Sequence, residues 1–155
     1  MSIKVVELLI KYEQSIEKLY STCAVHFPEY SSFWEKLAAE EARHGQIIKK
    51  LLTKIDDKVL YLDEVRFKQR PLEISIEYVG QITDRVKRNE LPLVGVLAIA
   101  ESIENSILEG KYLDIFSSKS KDLNKYLQTL QDDTREHRAR IKELLTQVRS
   151  IGDFK

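Results

Sequence analysis

The segment AAEEARHGQII (residues 38–48) combines a helical hydrophobic pattern with two polar side chains that such a pattern should exclude. Its apolar residues recur every three to four positions, which predicts a helix with one buried face. At about 100° per residue, Glu41 and His44 lie on that same face. An acid and an imidazole in a buried face need a hydrogen-bonding partner or a bound cation, because burying them without compensation costs free energy.

On both sides of this segment, the same helical period recurs over most of the chain. The period is interrupted at FPEYSS, at NELP and at SSKSKD, where proline, serine and charged residues favour turns. With only five glycines and three prolines, the 155 residues leave little room for the turns of an all-β fold. We therefore predict an all-α protein with helices over residues 2–26, 28–54, 71–88, 93–116 and 123–150.

The lengths of the connections predict how these helices are arranged. Two helical hairpins, 2–54 and 92–150, are separated by a long crossover, 55–91. The crossover has an extended part over residues 56–70 and then a short amphipathic helix, which is expected to pack against the outside of a bundle or to cap one end. A chain of this length is typical of one domain. The prediction is a single domain, 1–155, built as a four-helix bundle with a long crossover.

Composition and charge argue against several classes of partner. Lys plus Arg and Asp plus Glu number 25 each, so no net charge favours nucleic acid or an anionic membrane. The first apolar stretch is interrupted by Glu7, Lys11 and Glu13, unlike a signal peptide, and no apolar run is long enough to span a bilayer. The lone Cys23 excludes a disulfide within the chain and a Cys-x-x-Cys metal site. We expect a cytoplasmic protein.

Each of the four long helices carries an acid or an imidazole on its apolar face. Glu104 lies near the middle of the apolar face of its helix, and Glu101 lies at the edge of that face. In the first helix, Glu13 lies nearer the apolar stripe than Glu17. The inward polar residues of the four helices are Glu13, Glu41, His44, Glu104 and His137.

These residues are also predicted to lie at one height along the helices. Glu13 lies 15 residues before Pro28 and Glu41 lies 13 after it, and equal distances from a turn mean equal heights in an antiparallel hairpin. In the second hairpin, Glu104 lies 14 residues before Ser118, and Thr134 and His137 lie 16 and 19 residues after it. The separation from glutamate to histidine is 31 residues in the first hairpin and 33 in the second, which indicates a weak internal duplication.

The cost of burying carboxylates favours a bound metal over a purely structural layer. An ionised carboxylate buried without compensation costs several kcal/mol, and a domain is stable by only about 5–15 kcal/mol. Arg140 is the nearest basic side chain, while Arg43 is predicted to point outward. A metal pair supplies the missing charge, and mixed carboxylate and imidazole ligands suit iron or manganese, with zinc as a further choice. The alternative is a metal-free polar layer that sets helix register, with His137 as a hydrogen-bonded core residue.

The motifs resemble those of the ferritin-like superfamily, and within it those of the rubrerythrin-type di-iron proteins. EQSIEKLY (13–20) resembles the first-helix Glu-x6-Tyr motif, EARH (41–44) the second-helix Glu-x-x-His motif, and ESIENSI (101–107) the acidic segment of the third helix. DTREHRARI (133–141) stands where the second Glu-x-x-His belongs. The resemblance covers the four long helices and leaves only the crossover unmatched. It implies a ferritin-like fold and two iron ions held by Glu13, Glu41, His44, Glu104 and His137.

The resemblance also implies a role for each ligand and a reaction. Glu41 would bridge the two ions, Glu13 and Glu104 would be terminal or bridging carboxylates, and each histidine would bind one ion. Reduced iron in such a site donates electrons to peroxide or dioxygen. Rubrerythrins also carry a four-cysteine rubredoxin-like iron centre. Because Cys23 is the only cysteine here, the resemblance implies an external electron-donor protein.

One position departs from the family pattern. Thr134 stands where the fourth helix of the family has a glutamate, and Glu136 points about 100° away from His137. Asp133 is a shorter substitute at the edge of the stripe, Thr134 could instead hydrogen-bond a metal-bound water, and Glu101 is a candidate extra carboxylate. The sequence therefore leaves open an asymmetric metal pair, a single-metal site, non-catalytic iron binding or a relic site in a scaffold protein. Its helical faces are apolar enough for a homodimer.

Overall fold

The computed structural model describes residues 2–53, 60–62, 69–110, 116–118 and 121–151. Most of these residues are in five helices: α1 (Ser2–His26), α2 (Ser31–Thr53), α3 (Gln69–Lys87), α4 (Leu93–Gly110) and α5 (Lys121–Ser150). The other elements are a 3-10 turn (Pro28–Tyr30) and two short antiparallel strands, β1 (Leu60–Leu62) and β2 (Phe116–Ser118). The prediction of an all-α protein is confirmed.

The ends of the helices follow from local residue chemistry. Pro28 is the first residue of the 3-10 turn, where its missing N–H costs nothing, and α2 begins only at Ser31. At the end of α3, Asn89 adopts a left-handed φ of 55° and the N–H of Glu90 donates to the carbonyl of Arg85. This is a Schellman motif, and asparagine tolerates its left-handed position better than most residues with a side chain.

Two predicted helix boundaries differ from the structure by three residues or more. The helix predicted to reach Phe116 ends at Gly110, and Phe116 begins β2. The helix predicted to begin at Pro28 begins at Ser31. In the first case a pairing with the distant strand β1 replaces the local helical period. β1 itself lies within the segment predicted to be extended, and the rest of residues 54–68 lies outside the described residues.

The helices pack into one body in which α3 lies along α1. α2 returns antiparallel to α1 after the 3-10 turn. α3 runs parallel to α1, because the ends of both helices meet where Nδ1 of His26 lies 3.3 Å from Oδ1 of Asn89. α4 then reverses direction at Pro92 and packs against α5, which runs antiparallel to α2. The short helix of the crossover therefore packs along a neighbouring helix and does not cap an end.

One hydrophobic core joins the five helices. Burying one large apolar side chain contributes about 1.5–3 kcal/mol, so this core can carry the cost of a polar layer within it. None of the helices in the described part of the chain has the length and apolarity that crossing a membrane requires. The largest fully buried side chains are Trp34, Tyr20, Ile16, Leu19, Leu37, Ile48, Leu51, Leu72, Leu97, Leu130 and Ile141.

Candidate metal centre

The five residues predicted from the sequence lie together within this core. Glu13 comes from α1, Glu41 and His44 from α2, Glu104 from α4 and His137 from α5. Glu13 is 7% exposed as a whole residue, and each of the other four residues is at most 1% exposed. Polar residues of four helices therefore form one buried layer, which we call the inner layer. Their role as metal ligands stays a prediction.

The Nδ1 atoms of both imidazoles face the carboxylates of the inner layer. His137 Nδ1 lies 2.9 Å from Glu41 Oε1 and 3.7 Å from Glu104 Oε1. His44 Nδ1 lies 3.6 Å from Glu41 Oε2 and 3.9 Å from Glu13 Oε2. The two imidazole rings are stacked, with centroids 5.2 Å apart. Glu41 is thus shared by both imidazoles, whereas Glu13 and Glu104 each approach one.

The Nε2 atoms, on the opposite edges of the imidazoles, each approach a further carboxylate. His44 Nε2 lies 3.1 Å from Asp133 Oδ2. His137 Nε2 lies 2.9 Å from Glu40 Oε2, in a direction that suits an ion pair and not a straight hydrogen bond. Asp133 precedes His137 by four residues and Glu40 precedes His44 by four. Asp133 of α5 thus contacts the histidine of α2, and Glu40 of α2 contacts the histidine of α5. We call Asp133 and Glu40 the outer carboxylates.

Two arginines neutralise the outer carboxylates. Arg43 donates a 2.6 Å hydrogen bond to Asp133, and Arg140 pairs with Glu40. Burial would raise the pKa of Asp133, but the contacts with His44 and Arg43 lower it. Arg140, predicted to be the nearest cation to the buried acids, is thus taken up by an outer carboxylate. The inner layer has to be neutralised in another way.

Each of the three inner carboxylates has one oxygen that accepts no hydrogen bond. These atoms are Oε2 of Glu13, Glu41 and Glu104, which no donor reaches within the part of the chain that the structure describes. The other oxygen of Glu104 accepts a 2.7 Å hydrogen bond from the Tyr20 hydroxyl. Leaving a buried polar group unpaired costs about 1–3 kcal/mol, and more when it is charged. Three such oxygens in one layer need either protons or a cation.

In the absence of a cation, protons balance the charge of the inner layer. Burial raises the pKa of Glu13 well above its usual value, and burial with the Glu41 charge raises the pKa of Glu104 to about 7. Burial alone would lower the pKa of His137, but the carboxylates of Glu104 and Glu41 raise it to about 10. Burial would raise the pKa of Glu41, yet Glu13 and the two imidazoles lower it. One ionised carboxylate is therefore paired with imidazolium.

The chemistry of the inner layer fits a transition-metal ion. Glu41, His44 and His137 each offer a ligand atom, and these atoms lie within 4.8 Å of one another. The unpaired Oε2 of Glu13 lies 3.9 Å from His44 Nδ1, and Glu104 approaches His137 Nδ1 with its other oxygen, Oε1, at 3.7 Å. Mixed carboxylate and imidazole ligands suit iron and manganese, and also zinc. Histidines that bind metals generally hold their second ring nitrogen against a carboxylate or carbonyl, as the outer carboxylates do here.

Thr134 is buried beside this layer and adds no charge to it. The residue is 3% exposed, and its hydroxyl donates a 2.9 Å hydrogen bond to the carbonyl of Leu130 in its own helix. Asp133, a predicted substitute for the missing glutamate, faces the outer edge of His44 and not the inner carboxylates. The other two candidate acids, Glu17 and Glu101, are partly exposed.

Sequence reasoning missed Glu40. Its position beside Glu41 places it off the apolar stripe, and its side chain is 20% exposed. One signal was present, because the four-residue spacing from Glu40 to His44 is repeated from Asp133 to His137. That repeat can be interpreted only once α2 and α5 are known to lie side by side, because each outer carboxylate contacts the histidine of the other helix.

Comparison with known proteins found no match: no protein-family model, no curated protein and no solved structure matches this chain. The resemblance to ferritin-like proteins therefore remains an expectation drawn from the motifs. A functional assignment has to stand on the residues of the inner layer and their surroundings.

Proposed function

We propose that this chain is a ferritin-like four-helix bundle that binds a pair of transition-metal ions, iron first, in its inner layer. Manganese and zinc are the competing metals for the same donors. The observation that carries the proposal is the set of three buried, unpaired carboxylate oxygens in a layer whose carboxylates approach the Nδ1 atoms of both imidazoles. Their Nε2 atoms already face the outer carboxylates, which supports binding through Nδ1.

The ligand roles follow from which groups approach one another. Glu41 presents one oxygen to each imidazole, which suits a carboxylate shared by two ions. Glu13 lies on the His44 side and Glu104 on the His137 side, so each pair suits one ion. Thr134 leaves the layer with three carboxylates where the family pattern has four, so the protein ligands would neutralise less of the positive charge of two bound ions.

We further propose a rubrerythrin-like oxidoreductase activity with peroxide or dioxygen as the electron acceptor. A bound iron pair would supply the reducing electrons, which this chain's side chains cannot store. The inner layer keeps water out, because its residues are at most 7% exposed. An external one-electron donor protein has to replace the electrons. Iron binding without redox turnover is the more limited form of the proposal.

A metal-free scaffold is the second candidate, and Thr134 favours it. The hydroxyl of Thr134 is satisfied by its own helix, so this position needs no metal. Protons on the inner acids and imidazoles also balance the charge without one. In that case the inner layer sets the register of the helices, as a relic of a metal site.

Metal content tests the two candidates. Protein expressed with added iron should contain one or two iron ions per chain by elemental analysis and should melt at a higher temperature than the metal-free form. Glu13→Ala should lose much more metal than the matched control Glu17→Ala, because Glu13 is buried in the layer and Glu17 is partly exposed. Absence of stoichiometric metal, together with no stabilisation by iron or manganese, would leave the scaffold as the function.

A further inference from the structure

A file of aromatic side chains leads from the inner layer toward the turn between α1 and α2. The hydroxyl of Tyr20 donates to Glu104 at 2.7 Å. The Tyr20 ring lies 5.5 Å from the Trp34 ring, between centroids, and the Trp34 ring lies 5.2 Å from that of Phe33. Tyr20 and Trp34 are fully buried, whereas Phe33 is partly exposed near the start of α2. The file thus runs from a candidate ligand to the protein surface.

Stability does not explain the choice of tryptophan in this file. The indole N–H of Trp34 is buried and has no hydrogen-bond acceptor among the described residues. An unpaired buried N–H costs free energy, and a purely apolar ring would fill the core without that cost. Trp34 is also the only tryptophan in the chain. What tryptophan adds over an apolar ring is that it can be oxidised by one electron.

We propose that Tyr20 and Trp34 relay single electrons between the metal centre and a one-electron donor at the turn between α1 and α2. The inference rests on the proposed function, which requires electrons from outside the chain. The rate of electron transfer falls exponentially with distance. Short steps through the buried rings of Trp34 and Tyr20 are therefore faster than one long step from the donor to the metal centre. Ring centroids 5.5 Å apart are within the range of ordinary aromatic contact, which favours such a step.

The relay is balanced in electrons and protons. Tyr20 gives one electron to the oxidised centre, and its phenolic proton moves along the existing hydrogen bond to Glu104. Trp34 then returns one electron to Tyr20, which takes its proton back from Glu104. The indole cation of Trp34 keeps its N–H proton, because none of the described residues offers this N–H an acceptor, and the cation is reduced by the donor. One electron has moved inward and no proton has been lost.

Flash photolysis of the metal-free chain tests the relay. A ruthenium photo-oxidant is attached to the Val25→Cys variant, since Val25 is 75% exposed near the end of α1. The native Cys23 is fully buried, and burial raises its thiol pKa to about 12, so it stays unlabelled. A flash in the presence of a cobalt(III) ammine, which irreversibly accepts the label's electron, creates the oxidant. Transient absorption then follows the tryptophan and tyrosyl radicals.

The relay predicts that a tryptophan radical forms first and decays as a tyrosyl radical grows. In Tyr20→Phe the tyrosyl signal is lost and the tryptophan radical persists. In Trp34→Phe the tyrosyl radical is lost or forms far more slowly. Tyr126→Phe, on the exposed surface of α5, is the matched control and leaves both signals unchanged. An undiminished tyrosyl signal in Tyr20→Phe, or an unchanged rate in Trp34→Phe, would overturn the proposal.

A second variant links the relay to the inner layer. Glu104→Gln replaces the proton acceptor of Tyr20 by a weaker base, so tyrosyl formation should slow while the tryptophan radical forms at its usual rate. An unchanged tyrosyl rate would show that the hydrogen bond is not part of the relay. All these measurements use metal-free protein. If the chain binds no metal but shows the expected radical kinetics, only the proposed function is contradicted. If it binds metal but does not show those kinetics, only the relay is contradicted.

Discussion

The α1–α2 and α4–α5 hairpins present nearly the same side chains to the inner layer, and they differ at one position. Each hairpin supplies a glutamate from its first helix and a histidine from its second, and each histidine follows an outer carboxylate by four residues. Glu41 and Thr134 stand at the equivalent place, three residues before the histidine. The two-fold arrangement of the layer is therefore broken by a single side chain.

This difference separates two tasks within the layer. The repeated features, two imidazoles and their outer carboxylates, fix the directions in which ring nitrogens point. The position that differs, Glu41 in one hairpin and Thr134 in the other, sets the charge of the inner layer. Threonine in place of glutamate removes one buried carboxylate from a layer that already raises the pKa of Glu13 and Glu104. The two imidazoles are therefore oriented in the same way in both hairpins, whereas the two hairpins contribute different numbers of carboxylates to the inner layer.

Removing the carboxylate that both imidazoles share should have the largest effect. Among the described residues, Glu41 is the one carboxylate that approaches both His44 and His137, so we expect metal content to fall to background in Glu41→Ala. Thr134→Ala, the equivalent change in the other hairpin, should leave metal content near that of the parent. Elemental analysis of the two variants measures the comparison directly. Similar losses in both would mean that the two positions contribute equally.

Restoring the missing carboxylate should change stability in opposite directions with and without metal. Thr134→Glu buries one more acid, which should destabilise the metal-free protein by a few kcal/mol. With ferrous iron the same acid becomes a ligand, so we expect a higher melting temperature and tighter binding of the second ion. Thermal melts of parent and variant in both conditions test this. Equal destabilisation in both, with no gain in metal, would favour the scaffold.

The outer carboxylates test the symmetric part of the comparison. Asp133→Asn and Glu40→Gln should each weaken metal affinity by about 10–100-fold, because groups that orient a ligand typically contribute that much. Equal losses would show that the two imidazoles are held equivalently. The matched controls are two exposed acids, Asp132→Asn next to Asp133 and Glu35→Gln five residues before Glu40. Metal titrations measure the affinities, and losses as large in the controls would remove the assigned role.

The effect of pH is gradual, at about 1.4 kcal/mol per pH unit for each proton that distinguishes the folded from the unfolded chain. The raised pKa values of Glu13, Glu104 and His137 mean that the folded chain keeps protons which the unfolded chain releases. Metal-free stability should therefore fall as pH rises from about 5 toward 10. The lowered pKa values of Glu41 and Asp133 make it fall again in stronger acid.

Metal should reverse the dependence above neutral pH, since ions displace those protons and bind better as pH rises. Denaturant unfolding across the pH range, with and without manganese, measures both curves. Glu13→Gln and Glu104→Gln, one from each hairpin, should each flatten the metal-free curve. A metal-free curve that does not fall between neutral pH and pH 10 would contradict the assignment of protons in the layer.

Much of the fold and of the site could be predicted because the relevant signals are local. The helical period of each segment shows which residues face the core. It also shows which polar residues occupy positions where an apolar residue is expected. Glu41, Glu104 and His137 stand out because each is a polar residue at an apolar position. Distances from the turns then place such residues at one height, without any knowledge of the packing between the hairpins.

The features that could not be predicted depend on contacts between distant segments. Glu40 is unremarkable in α2 until α5 brings His137 beside it. β2 lies in residues that continue an apolar stretch, and only pairing with β1 makes them a strand. The 3-10 turn at Pro28 shifted the start of α2 because proline constrains the first turn without specifying which helix type follows.

The pairing of β1 with β2 has a consequence for the order in which the chain folds. It joins Leu60 to Ser118 and Leu62 to Phe116, across more than fifty residues, while each hairpin forms from contacts near in sequence. Closing so long a loop costs entropy that three residue pairs repay only after the hairpins have docked. We therefore expect the strands to pair late in folding, after the hairpins have docked. Their backbone amides should exchange with deuterium sooner than those of the helices, through openings far smaller than global unfolding.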